Sequence, residues 1–171
     1  VDGDGALDLL TANYNGNSVS VRLNDGSGSF GGTQNVAVGS APYSVAVGDV
    51  DGDGDLDLLT ANYNGNTVSV RLNNGSGSFG GGSNPAVGSR PISVAVGDVD
   101  GDGDLDLLAA NFDSNTVSVR LNDGSGSFGG GSDPAVGSGP ISVAVGDVDG
   151  DGDLDLLAAN NTGSSVSVRL N

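Results

Sequence analysis

The sequence contains no cysteine, methionine, tryptophan or histidine. Glutamate and lysine are absent too: all 22 acidic residues are aspartate and all 5 basic residues are arginine. Without cysteine there are no disulfides and no thiol chemistry, although this does not locate the protein. Histidine, glutamate and lysine most often carry general acid–base catalysis near neutral pH, and all three are missing; the many serines have no base to activate them. The same absences deny zinc and copper the imidazole and thiolate ligands they favour. A formal net charge of −17 opposes binding to nucleic acid or to anionic membrane surfaces. No run of about 18 apolar residues occurs, so no membrane insertion is expected. There is no initiator methionine and no signal-peptide pattern. The chain opens inside a motif at Val1, which suggests a fragment or a processed product.

What the sequence does contain is glycine (32 of 171 residues), aspartate, valine, serine, threonine and asparagine. The best helix formers are depleted, so an all-β chain is expected, with a length that suits one domain. The string VDGDG starts at Val1, Val50, Val99 and Val148, a spacing of 49 residues with no insertion or deletion. A fixed period of this size signals a solenoid, a propeller or an array. One period reads as four short strands. Ser44 to Val50 is the first. Leu56 to Asn62, apolar on both faces, is the buried second. Thr67 to Leu72 is the third, with Val68, Val70 and Leu72 inward and Thr67, Ser69 and Arg71 outward. Asn64-Gly65 reads as a two-residue hairpin turn between the second and third. A weak fourth strand is expected near Asn84 to Gly88, where Pro85 marks an edge, after a glycine-rich loop pinned by Phe79. Four antiparallel strands per repeat make one blade of a β-propeller, and the chain holds about 3.5 blades. The expected division of this single repeat domain is a partial blade 1–40, blades 41–89 and 90–138, and a partial blade 139–171.

Between the first and second strands lies GDVDGDGDLDLL, written at 48–59, 97–108 and 146–157. Its aspartates repel one another unless something neutralises them. Asp49, Asp51, Asp53 and Asp57 alternate in D-x-D-x-D-G-x-x-D, so a tight loop turns their carboxylates toward one point, and Gly54 permits the bend. The carbonyl of Asp55 adds an oxygen. An all-oxygen shell of six or seven suits Ca²⁺, whereas magnesium takes fewer protein ligands. An EF-hand fails, because its twelfth position is Thr60 and the flanks are strands. The equivalents are Asp98, Asp100, Asp102, Asp104 and Asp106, then Asp147, Asp149, Asp151, Asp153 and Asp155, with Asp2, Asp4 and Asp8 in the truncated first copy. Eighteen of the 22 aspartates lie in these loops, a concentration that solvation alone does not explain.

Each repeat resembles the FG-GAP or VCBS-type repeat of integrin-α-like β-propellers, through GDVDGDGDLDLL and through Phe30-Gly31, Phe79-Gly80 and Phe128-Gly129. The resemblance implies blades around an axis, with Ca²⁺ in the first inter-strand loop of several blades and the ligand roles given above. It also implies an extracellular or cell-surface setting and a part in adhesion or ligand display. Such propellers are complete rings, whereas this chain reads as 14 strands. Self-association, or a place in a longer propeller chain, is therefore expected.

Other repeated residues have a structural and a functional reading. Arg22, Arg71, Arg120 and Arg169 share one position on the third strand, where a structural clamp is favoured over a ligand-binding ring. Tyr14, Tyr63 and Phe112 share another, where packing is favoured over stacking on sugars; Asn161 replaces them in the last repeat. Sequons occur at Asn74-Gly75-Ser76 and Asn160-Asn161-Thr162. The expected function is a non-catalytic, calcium-stabilised propeller module for structure, adhesion or binding of a glycan or protein ligand. The alternatives are a lectin or the propeller part of a lyase-like carbohydrate-active enzyme.

Overall fold

The structure is a computed structural model that describes residues 1–171, Thr33 by its backbone alone. Fourteen strands form four antiparallel sheets in chain order. The first holds β1 (Leu9–Asn13), β2 (Ser18–Asn24) and β3 (Phe30–Ala37). The second holds β4 (Pro42–Gly48), β5 (Asp57–Asn62), β6 (Thr67–Asn73) and β7 (Phe79–Gly80). The third holds β8 (Pro91–Gly97), β9 (Asp106–Asn111), β10 (Thr116–Asn122) and β11 (Phe128–Ser132). The fourth holds β12 (Pro140–Gly146), β13 (Asp155–Asn160) and β14 (Ser165–Arg169). The propeller-like repeat of blade units expected from the sequence is what the chain forms.

The sheets stack face to face, which explains the apolar run in each second strand. Leu58 packs with Val19, Val21 and Val36 of the first sheet, while Leu59 and Ala61 face Val94 and Leu107 of the third. Leu108 and Ala110 in turn meet Val143 and Leu156 of the fourth. Successive residues point to opposite faces, and both faces are covered, so β5 and β9 are buried at every position. The outer faces of the first and fourth sheets carry exposed Leu9, Val166 and Val168.

Three local expectations need correction. Ser69 does not face solvent: it is fully buried, because the linker from the preceding sheet covers that face and the Gly39 N–H donates to its hydroxyl at 3.0 Å. The β5–β6 connection is not a two-residue Asn-Gly turn. It spans 63–66, and the left-handed residue is Asn66 (φ 52), with Gly65 outside that region. The fourth strand starts earlier than Asn84. Phe79, itself buried, pairs with Asn73, and the chain rejoins β6 beyond Gly82, where the Val70 N–H donates to the Ser83 carbonyl, the Val68 N–H donates to the Pro85 carbonyl and Thr67 bridges Ala86. Gly82 sits at φ 83, closer to the Val70 carbonyl than any Cβ would allow, so the strand bulges there instead of running on.

Candidate metal centre

Each aspartate loop leaves the end of one strand and returns at the start of the next, and its two ends are directly paired, Gly48 with Asp57. Asp57 is fully buried. Its two oxygens accept from the backbone N–H of Val50 (3.0 Å) and of Asn73 at the end of β6 (2.8 Å). Asp106 does the same with Val99 and Asn122, and Asp155 with Val148 and Asn171, all at 2.9 Å. In the first loop Asp8 accepts from the Asn24 N–H at 2.9 Å. The last aspartate of the motif thus ties loop, second strand and third strand together.

The first aspartate of the motif closes the loop on itself. Asp49 accepts from Gly52 (2.8 Å) and Gly54 (3.0 Å), and Asp98 accepts from Gly101 (2.8 Å) and Gly103 (3.0 Å). Gly54 at φ 93 and Gly103 at φ 100 adopt the left-handed backbone these bonds require. Carboxylate oxygens of Asp49, Asp51 and Asp53 come within 4.8 Å of one another, as do those of Asp98, Asp100 and Asp106, and of Asp147, Asp149 and Asp155. Asp2, Asp4 and Asp8 do not form such a group among the described residues. Asp55 and Asp104 turn their carboxylates away, toward Gly75 and Gly124 of the loop that follows the third strand. Asp102, Asp151 and Asp153 stay on the loops outside the tightest groups, and the Asp102 carboxylate accepts from the Asp104 N–H at 2.9 Å.

Six buried side-chain oxygens lack a hydrogen-bond donor: the amide Oδ1 atoms of Asn62, Asn73, Asn111, Asn122 and Asn160, and one carboxylate oxygen, Asp51 Oδ1. A buried carboxylate oxygen without a partner is costly. Burial, with the charges of Asp53 and Asp49, pushes the Asp51 carboxyl upward from the ordinary carboxylate range. Burial also pushes Asp57 and Asp106 upward, against the opposite pull of their N–H donors. In Asp155, on the more open last sheet, the N–H groups of Val148 and Asn171 prevail and the shift is downward. For these raised groups, and for Asp149, which burial and the charge of Asp151 also push upward, protonation favours the folded chain. Their contribution to stability is fully present below about pH 3.9 and is lost as pH rises through the raised values. Calcium-free protein is therefore expected to gain melting temperature from these groups between neutral pH and about pH 4, with Asp8, Asp25, Asp123 and Asp155, whose shifts are downward, working against the trend. A cation held by these carboxylates would compete with the same protons, so in its presence acidification would lower the melting temperature. Thermal melts at both pH values, with and without chelator, check the two signs.

The loops are also joined from sheet to sheet by a residue that sequence reasoning passed over. Asn122 Nδ2 donates to the Val50 carbonyl in the preceding sheet's loop (2.8 Å) and to Leu105 in its own (3.1 Å). Asn73 repeats this with Val1 (2.7 Å) and Leu56 (3.1 Å). The signal was present, since every third strand ends in Arg-Leu-Asn. The arginine before it is a clamp, as favoured: Arg71 Nε donates to Ala37 of the first sheet (3.0 Å) and Arg120 Nε to Ala86 of the second (2.9 Å). The sequon at Asn160 is buried in the fold.

Antiparallel sheets stacked in register, with an acidic loop at the same end of each, define a propeller-like repeat protein with repeated cation-type loops. The chain matches the FG-GAP-like repeat over residues 1–60, 49–109 and 98–158, and it belongs to that family. No curated protein matches it. Among solved structures, an Agrocybe aegerita lectin that recognises non-reducing terminal N-acetylglucosamine aligns with a TM-score of 0.59 and 22% identity, covering 98% of this chain and 50% of the lectin. The V. cholerae biofilm matrix protein Bap1 aligns at 0.52 and 22% identity, over 95% of this chain and 28% of Bap1. BBS1N, solved in complex with ARL6DN, aligns at 0.57 and 13% identity, over 96% of this chain and 52% of BBS1N. The chain therefore spans half, or less, of the length of the first two, and about half of the third.

Proposed function

We propose that the chain is a non-catalytic, calcium-stabilised β-propeller module that works outside the cell in adhesion or ligand binding. The observation that carries the calcium reading is the buried, donorless Asp51 Oδ1 beside the carboxylates of Asp49 and Asp53. An ion there supplies the missing partner and offsets the repulsion. Asp49, Asp51, Asp53 and Asp57 would hold it, with the Asp55 carbonyl, and likewise their equivalents at Asp98 to Asp106 and Asp147 to Asp155. Asp57 remains able to do so, since an oxygen that accepts one N–H keeps a second lone pair. The binding part of the proposal draws support from the neighbours: one recognises a terminal sugar, one is a biofilm matrix protein, one was solved bound to a protein. The non-catalytic part rests on a side-chain repertoire without histidine, glutamate, lysine or cysteine.

Calcium titration against melting temperature tests it. Binding to the folded state alone stabilises by linkage, about 2.7 kcal/mol at a hundredfold excess over Kd for each site. Extracellular modules bind calcium at about 10⁻⁴ to 10⁻³ M, so millimolar calcium is the relevant range. EDTA is expected to lower the melting temperature markedly. Asp51→Asn should reverse sign between buffers: more stable than the parent in EDTA, where a repelling charge is gone, and less stable in calcium. An EDTA melting curve that superimposes on the calcium curve overturns the proposal.

A further inference from the structure

The repeats are near copies, so residues that break the pattern stand out, and they converge on one place. The chain has 3 tyrosines. Tyr14, Tyr43 and Tyr63 come from two sheets and meet with ring centroids 5.9 to 6.2 Å apart. Tyr43 and Tyr63 are stacked at 29°, and Tyr14 stands edge-on to Tyr43 at 81°. Arg90, the one arginine outside the third-strand clamp, lays its guanidinium 5.4 Å above the Tyr63 ring and pairs with Asp113 at 3.1 Å. Tyr43 opens β4 and Tyr63 follows β5, whereas the aspartate loop joins the other ends of these strands. The cluster and the metal loops therefore lie at opposite ends of the sheets.

Two features indicate more than packing. The rings are open: Tyr43 is 58% and Tyr14 40% exposed. Arg90 also sits at φ 54, a left-handed backbone that its equivalents Ala41 (φ 57) and Gly139 (φ 62) share, so what distinguishes this repeat is the side chain itself. A glycine fits there, yet the chain holds a charged, exposed side chain over the tyrosines.

We propose that this tyrosine–arginine surface is the ligand-binding face of the module and that its ligand is a neutral saccharide. The proposal rests on the binding-module reading and assigns its site and ligand class. A pyranose ring offers an apolar C–H face that packs on aromatic rings, and hydroxyls that need planar partners at the rim. The exposed rings of Tyr43 and Tyr14 supply the platform, together with Phe112 in the same hollow. Arg90 and Asp113 supply paired donors and acceptors at its edge. The net charge of −17 disfavours anionic sugars and nucleotides. A cationic ligand would compete with Arg90 for the Tyr63 face. Tyrosine gives this contact area with little side-chain entropy to lose on binding.

Because tryptophan is absent, intrinsic emission comes from these three tyrosines and reads the site directly. The experiment is a neutral-glycan array in calcium, then titration of the best-retained glycan followed by tyrosine emission, on the parent chain, Tyr43→Ser and Arg90→Gly. The expected result is a saturable change in emission, with binding weakened at least tenfold in both variants. Arg90→Gly should melt no lower than the parent, so that lost binding is not lost folding. Retention of no neutral glycan overturns the proposal, as does retention of a protein or peptide in place of one. Binding that survives both substitutions overturns the site while leaving a binding module intact. The calcium-dependent melt is read separately and does not enter this outcome.

Discussion

Asp106→Ala is expected to destabilise the fold by roughly 2–6 kcal/mol, one to three for each of two N–H groups left without an acceptor, and to do so with or without calcium. The Asp106 carboxylate is fully buried, and it is the acceptor for the backbone N–H of Val99 and of Asn122. Losing it unfastens the loop from the second strand and the third strand from both. Asn122 also reaches the preceding loop through Val50, so the damage should spread to the second sheet. Asp106→Asn keeps one acceptor, but it turns an amide NH₂ toward the other N–H, so its cost falls between the parent and alanine. The contrast is Asp98→Ala, whose carboxylate bonds lie within an exposed turn. That variant should cost chiefly calcium affinity and little in EDTA. Urea denaturation of the three variants in calcium and in EDTA separates the roles. If Asp106→Ala matches the parent in EDTA, Asp106 is a metal ligand with no part in holding the strands.

Much of this was legible in the sequence because the repeat writes each constraint several times. LDLL announces a strand covered on both faces, and Leu58 and Leu59 do pack on sheets to either side. The spacing of the aspartates places the loops, and the expectation that Asp55 offers no carboxylate agrees with its side chain turning toward Gly75. What escaped depends on neighbours in space. Alternation in TVSVRL assigns Ser69 to the outside of its own sheet, but that face packs against the preceding sheet and its linker. A glycine-rich stretch does not reveal where it bulges, so the fourth strand was placed several residues late. The Asn73 and Asn122 bridges span 72 residues each, so the repeated Arg-Leu-Asn marks the residue but not the partner it reaches. Tyr43 was overlooked because isoleucine, an ordinary strand residue, takes its place at Ile92 and Ile141.

Gly88→Ala is expected to destabilise the fold strongly, and the reason lies in how the sheets are joined. Gly88 belongs to the linker between the second and third sheets. A Cβ there would lie 2.6 Å from the Asn111 side-chain carbon and amide nitrogen. Asn111 cannot swing aside: it is fully buried, and its amide donates to Thr116 Oγ1 (3.1 Å) and Ser118 Oγ (2.9 Å). Ser118 Oγ also accepts the Gly88 N–H at 3.1 Å, so linker, serine and asparagine form one buried knot. Overpacking costs about 1–3 kcal/mol, and displacing Asn111 adds the loss of its bonds. The same knot recurs with Gly39 and Asn62, and with Gly137 and Asn160, which accounts for glycine at all three linker positions. If the clash is the cause, the two effects must not add. Asn111→Ala alone should destabilise by opening the knot, and adding Gly88→Ala to it should then cost little, because the obstructing side chain is gone. A double-mutant cycle on unfolding free energies is expected to show coupling above about 1 kcal/mol, the range found for residues in contact. Strict additivity would mean that Gly88 is required for its backbone alone and that the sheets are held together elsewhere.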